Sequence, residues 1–395
     1  MYKASKNYDK HKQRGRRIEM ITHRRMRFSF LLISSLILLI LSPTGLLADA
    51  EGIFKENKGS VVVINTYGKQ GKPLNQGSGF IVREDGAIAT NYHIISNAKD
   101  IKVKLRDKLL KVEGLIHTDI ENDLVILKVK GKNLPAVKIG DIEKATVGEN
   151  IYLISSPEGQ ENKISEGVLR MVKEIVPDMK ILQITAPVLP GSSGGPVFNK
   201  NGEVIGIATF IIENKQELNF AIPINFIKEK ISSKKITPLK GAVTGDYKKS
   251  AGYWFYLGAA YEDLGMHKEA MESYREVLKI KPNDAWAHNS LGGVYGNLGM
   301  NKEATEAYKE AIKIKPDFAW AHNNLGTIYG KLRMHKEAIE AYKEAIKINP
   351  NYAEAYFNLG VSYIMLKDGP SAFEQYKKLL ELNPELAEEL YNIAF

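Results

Sequence analysis

The sequence predicts a multidomain chain: an all-β domain followed by an all-α solenoid of repeats. Between residues 51 and 232, runs of β-branched residues are punctuated by Gly, Asn and Asp turns. From residue 251 a 34-residue period sets in and holds for four copies. The length of 395 residues also exceeds what one ordinary domain needs.

Residues 1–50 read as a leader. The formal charge of +9 would by itself suit a nucleic-acid partner. The first 27 residues remove that idea, because ten Lys and Arg stand there against two acids and account for +8 of it. The basic balance belongs to the leader, so no nucleic-acid partner is expected. An apolar run follows at 28–41, then Pro43, Gly45 and the small-x-small site Ala48-Asp49-Ala50. Together these make a secretory signal peptide. The run is shorter than the ~20 residues of a spanning helix. Extended through Leu46 and Leu47, it would instead serve as an uncleaved inner-membrane anchor. Either way the basic flank stays inside and the rest is exported, so a periplasmic or secreted location is expected. There is no cysteine, which excludes disulfides, a thiolate nucleophile and cysteine-metal sites.

Residues 51–232 form the β domain. Val61-Val62-Val63-Ile64, Phe80-Ile81-Val82, Leu124-Val125-Ile126-Leu127 and Val204-Ile205-Gly206-Ile207 are buried-strand candidates. Their spacing suits a sandwich or barrel. Asn201-Gly202 between apolar flanks signals a hairpin.

The chemistry centres on Pro190-Gly191-Ser192-Ser193-Gly194-Gly195-Pro196-Val197-Phe198. A serine hydroxyl is a weak nucleophile that needs a base and backbone amides aimed at the developing oxyanion. Glycines allow the sharp turn that presents such amides. A flexible loop tip has the same composition, so the other residues decide. His93 lies in Ala89-Thr90-Asn91-Tyr92-His93-Ile94-Ile95. Asp123 follows in Asn122-Asp123-Leu124-Val125-Ile126-Leu127, with Asp119 as a rival acid. The chain order is His, Asp, Ser.

The segments GSGFIV, ATNYHII, NDLVILKV, PGSSGGPVFNKNGEVIGIAT and NFAIPINF, over roughly residues 59–230, resemble the HtrA/Deg branch of trypsin-like serine proteases. The resemblance implies two six-stranded β-barrels with the active site between them. It implies Ser193 as nucleophile and His93 as general base and later acid. Asp123 would orient His93, and the amides of Gly191 and Ser193 would form the oxyanion hole. Asp123 is preferred to Asp119 because the family's acid directly precedes a Leu-Val-Ile-Leu-type strand. Ser192 departs from the family's usual Asn. The specificity-pocket base falls near Pro187 and Val188. Its walls fall at Ala208, Thr209 and Phe210 and at Asn219, Phe220 and Ala221. None of these is acidic, so the pocket reads as apolar, for small or medium aliphatic side chains of protein or peptide substrates. The competing reading is that some of them pack the second barrel.

Residues 233–250 are polar and contain Pro238, Gly241 and Gly245, and read as a linker. Such a tether would raise local substrate concentration without altering the chemistry.

Leu257-Gly258, Leu291-Gly292, Leu325-Gly326 and Leu359-Gly360 recur every 34 residues. Ala270, Tyr274 and Pro282 recur with the same period. Four copies in register identify residues 251–386 as tetratricopeptide repeats, with a capping helix at 387–395. Gly and Ala let paired helices approach, and the tyrosines fill the gaps. A partner protein is expected in the concave groove, lined by Trp286, Asn289, Trp320, Asn323, Lys331 and Phe357. The tryptophans equally suit packing between repeats. His267, His288, His322 and His335 inherit the repeat spacing, so a structural or solvent role is read rather than a metal site. No cofactor and no metal are called for. The whole reads as an exported serine endopeptidase whose repeats recruit proteins; homo-oligomerisation is left open. The alternative is a binding scaffold that no longer cuts.

Overall fold

In the computed structural model the chain is described over residues 44–394, except 160–161, 177–178, 210–218, 240–242 and 244. The leader's apolar run and Phe210 lie outside the described residues. Helix α1 (Thr44–Asn57) contains the Ala48-Asp49-Ala50 site. Among the described residues no helix is long and apolar enough to cross a membrane.

The first group of strands is β1 (Val61–Tyr67), β2 (Pro73–Arg83), β3 (Ala87–Asn91), β4 (Asp100–Leu105), β5 (Lys108–Leu110), β6 (Val112–Asp119) and β7 (Leu124–Val129). A one-turn helix α2 (Tyr92–Ile95) leaves the end of β3. The sheet order is β5-β4-β1-β2-β3-β7-β6. Lys111 alone separates β5 from β6, so one nearly continuous strand borders both edges and the sheet curls into a barrel. Its core holds Val62, Ile64, Ile81, Ile88, Val103 and Leu127. Each such aliphatic contributes about 2 kcal/mol on burial, which seats the site loops on a firm base.

The second group is β8 (Lys138–Ile139), β9 (Asn150–Ser155), β10 (Lys163–Val176), β11 (Met179–Ile184), β12 (Pro196–Asn199), β13 (Glu203–Thr209) and β14 (Asn219–Pro223), followed by a short helix α3 (Asn225–Lys228). The order is β12-β9-β10-β11-β14-β13-β8, and β12 also pairs with β13. That extra pairing closes six strands into a barrel, with β8 added in parallel outside. The hairpin between β12 and β13 turns at Asn201-Gly202, where Gly202 takes φ +71°. Ile151, Leu153, Leu169, Leu182, Val197 and Ile205 fill the interior.

The described residues of the segment 233–250, read above as a linker, pack against the first barrel. Thr237 and Leu115 exchange backbone hydrogen bonds of 2.8 Å in both directions. The Arg83 guanidinium donates to the carbonyls of Ile231 and Ser233. Leu239, Val243 and Tyr247 join the first barrel's core. Those three recur every fourth residue among Lys, Ser and Gly, so the polar average of the segment hid its apolar face.

The repeats form helix pairs α4 (Ala251–Asp263) and α5 (His267–Ile280), α6 (Ala285–Asn297) and α7 (Asn301–Ile314), α8 (Ala319–Lys331) and α9 (His335–Ile348), and α10 (Ala353–Met365) and α11 (Gly369–Leu382). The repeat glycines sit where a side chain would collide with a tyrosine ring. A Cβ on Gly258, Gly292 or Gly326 would lie 2.8, 2.8 or 2.6 Å from Tyr274, Tyr308 or Tyr342. The fourth copy differs, because Gly360 faces Leu390 of the final helix α12 (Pro384–Ala394). That helix begins three residues before the expected cap. Asn383 Oδ1 receives the amides of Glu385 and Leu386, and Pro384 suits the first turn.

Candidate active site

Most of the groups that converge on Asp123 come from the β3–α2 corner. At the end of β3 the Asn91 side chain donates to the Asp123 carbonyl (3.1 Å), as does the Tyr92 amide (3.0 Å). The His93 amide reaches Asp123 Oδ1 at 2.8 Å, and His93 Nδ1 lies 2.7 Å from Oδ2. The Thr209 hydroxyl, at the end of β13 in the other barrel, donates to the same Oδ2 at 3.2 Å. A buried carboxylate is costly unless donors surround it, and three surround this one. The Asp123 side chain is 0% exposed, whereas that of His93 is 30% exposed. The acid is thus sealed from water while the imidazole still faces outward. With Oδ2 accepting, Nδ1 carries the ring proton and Nε2 is left as the basic nitrogen.

Asp123 adopts φ +56°, a left-handed conformation that Asp tolerates better than most residues. Asp119 shapes the turn that delivers it. Its carboxylate takes the Asn122 amide (3.1 Å) and the Asn122 side-chain amide (2.8 Å). The rival acid therefore folds the loop, and Asp123 is the one on the imidazole.

The Gly191–Gly195 loop is pinned on several sides. The Ser78 hydroxyl donates to Gly191 O (2.8 Å), and Ser78 N donates to Ser193 O (2.8 Å). The amides of Ser192, Gly194 and Gly195 go to the carbonyls of Leu189, Ala208 and Ser192. Among the described residues the amides of Gly191 and Ser193 take no such partner. Gly194 has φ +84°, and a Cβ there would stand 2.1 Å from Ser78 O, so only glycine fits. Ser192, the departure noted in the sequence, is buried and receives the Ser155 hydroxyl at 2.9 Å. The loop stays anchored to β9 through that bond.

The expected pocket residues divide. Val188, Ala208 and Ala221 are buried in the second barrel's core. Asn219 Oδ1 receives the Val188 amide (3.1 Å) and holds the two expected sides together. Phe220 is buried, Pro187 is exposed, and Phe210 is not described. The Thr209 hydroxyl has a role the sequence reading did not give it, as a donor to Asp123. Sequence reading missed this role because an inward Thr at a strand end resembles any wall residue. It also missed Ser78, Ser155 and Tyr247. The Tyr247 ring stacks on His93, with centroids 6.1 Å apart and planes at 30°. Burial, and after it the charge of Asp123, hold its phenol well above the usual tyrosine range.

The description "Trypsin-like peptidase domain" matches residues 77–207. "TPR repeat" matches residues 258–299 and 298–332, and "Tetratricopeptide repeat" matches 319–352 and 341–369. The chain joins a trypsin-like peptidase domain to tetratricopeptide repeats. Its peptidase part is 40% identical over 163 residues to a Pseudomonas putida protein named "Probable periplasmic serine endoprotease DegP-like", covering 40% of this chain and 34% of that protein. A Halomonas elongata protein of the same name is 40% identical over 156 residues, 38% of this chain and 33% of its own. The chain thus spans about a third of the length of these relatives. Among solved structures, the serine endoprotease from Yersinia pestis matches at 27% identity and TM-score 0.42, covering 46% of this chain and 66% of that one.

In the repeat array, Trp286 lies edge-on to Phe318 (4.3 Å) and Trp320 (4.9 Å), between successive repeats. Trp320 and Lys331 remain exposed. Asn289 receives the Asn324 side chain, and Asn323 receives that of Asn358. Phe357 packs toward the final helix. His288 and His322 reach the carbonyls of Pro282 and Pro316 at 3.0 and 3.1 Å. Among the described residues no cluster of three or more His, Asp or Glu could hold a metal.

Proposed function

We propose that this chain is an exported serine endopeptidase that cleaves peptide bonds through an acyl-enzyme. Ser193 attacks the carbonyl carbon, and His93 takes its proton at Nε2. Asp123 holds the imidazole and stabilises its cationic form. The amides of Gly191 and Ser193 receive the oxyanion, and His93 then protonates the leaving amine. The observation that carries this reading is the sealed Asp123 carboxylate bound to both the amide and Nδ1 of His93. The resemblance would give an apolar pocket for an aliphatic side chain, although Val188, Ala208, Phe220 and Ala221, expected to line it, are buried in the second barrel. The leader, together with the periplasmic names of the relatives, supports work in the cell envelope. The repeats would recruit protein substrates or partners.

A fluorophosphonate probe tests the reading. Full-length chain should be labelled, and Ser193→Ala should not be. An unlabelled wild-type chain would favour the scaffold that no longer cuts.

A further inference from the structure

The first repeat differs from the other three at the positions where it meets the peptidase domain. Position 252 is Gly, where its 34-residue equivalents are Trp286, Trp320 and Glu354. Position 256 is Tyr, where the equivalents are Ser290, Asn324 and Asn358. Both residues touch the turn that carries Asp123.

Gly252 is packed so closely that a Cβ there would stand 1.9 Å from Glu121 O. Its amide donates to Glu121 Oε2 (2.6 Å), and Lys281 lies 3.3 Å from Oε1. A carboxylate at a helix N-terminus is also favoured by the aligned peptide dipoles. The Tyr256 hydroxyl donates to Asn122 Oδ1 at 2.8 Å. Asn122 is the residue that Asp119 grips from inside the turn. The turn 119–123 is therefore held from within by Asp119 and from outside by α4, one residue before a left-handed Asp123. On the other side of the pair, Tyr247 stacks on the His93 ring and meets Tyr253 of α4 edge-on at 5.3 Å.

We propose that the first repeat and the segment before it are a positioning device for the His93–Asp123 pair, with Gly252 and Tyr256 fixing the Asp123 turn and Tyr247 fixing the imidazole. Here the repeat module is part of the catalytic framework as well as a recruiting arm. The proposal rests on the serine-peptidase reading for its kinetic consequence, but the contacts themselves do not. It also accounts for the divergence of repeat one, since Trp or Glu at 252 would be driven into Glu121.

Full-length variants test it. Gly252→Ala improves local helix propensity yet pushes α4 off the turn. Tyr247→Ala removes the ring from His93, and Tyr247→Phe restores it. On a short aliphatic peptide, Gly252→Ala and Tyr247→Ala should lower kcat about tenfold or more, with KM within about twofold. Tyr247→Phe should stay near wild type. A role confined to general stability would not separate kcat from KM in this way. The second readout is the proton NMR signal of His93 Nδ1–H toward Asp123, which should shift or broaden in the two damaging variants. Unchanged kcat and an unchanged signal in folded Gly252→Ala and Tyr247→Ala would overturn the proposal. If the wild type cleaves nothing and takes no probe, the peptidase reading fails. The NMR signal then decides the positioning claim, for it if altered and against it if not.

Discussion

The Thr209 hydroxyl donates to the same Asp123 oxygen that faces His93 Nδ1, at 3.2 Å against 2.7 Å. One residue of the second barrel thereby helps to hold a pair that belongs to the first. A bond to a buried charged group contributes about 1.5–3 kcal/mol. Thr209→Val keeps the shape and deletes the donor, so kcat/KM on a short peptide should fall about 10- to 100-fold. Thr209→Ser keeps the hydroxyl and should retain most activity. Equal activity of the Val and wild-type proteins would remove Thr209 from the site.

Asp119 and Asp123 are separable by the same logic. Asp123→Asn preserves size but unsettles the imidazole tautomer, and in a triad of this kind such a change costs about 10⁴ in kcat. Asp119→Ala removes the bonds to Asn122 and loosens the turn. Its loss should be far smaller and accompanied by a lower Tm. Steady-state kinetics with parallel thermal melts would show the contrast. A larger loss in Asp119→Ala than in Asp123→Asn would reverse the assignment.

The candidate residues of this site could be named from the sequence because each sits in a contiguous motif. His93, Asp123 and Ser193 each lie beside an apolar strand, and the repeat register showed Gly258 and Tyr274 as recurring positions, though not as partners. What escaped was long-range. Thr209 looks like a wall residue until β13 is seen to end beside Asp123. Tyr247 sits in a segment of lysines, serines and glycines whose average says linker. Gly252 and Tyr256 did leave a signal, as breaks in an otherwise regular repeat. Its meaning required Glu121 and Asn122, more than a hundred residues away in sequence.

A pH test concerns Glu262 in α4, which accepts the Tyr274 hydroxyl. Burial is the largest influence and raises its carboxyl above the ordinary value, although the Tyr274 bond pulls the other way. The folded state thus holds this proton more tightly than the unfolded chain. Its contribution to stability is complete below the unfolded value, near 4.5, and is lost as pH rises through the folded value. Glu262→Gln stays neutral and keeps an acceptor for Tyr274. Its Tm relative to wild type should therefore be more favourable at pH 7 than at pH 4. Melting curves with the same difference at both pH values would contradict this.

Deleting residues 251–395 asks whether the repeats only deliver substrate. If 233–250 were a free tether, the barrels would cleave short peptides as before. The packing argues otherwise. The two barrel cores are built from residues before 251 in nearly all their members, so the fold should survive. The deletion nevertheless removes the Gly252 and Tyr256 bonds to the Asp123 turn and the Tyr253 ring beside Tyr247. Two hydrogen bonds at about 1 kcal/mol each, fully felt in the transition state, correspond to roughly a thirtyfold loss in kcat. The truncated chain should therefore show intact β-type circular dichroism and a cooperative melt, with kcat on a short aliphatic peptide reduced about ten- to thirtyfold and little change in KM. Wild-type kcat from a folded truncation would return the repeats to the role of a recruiting arm.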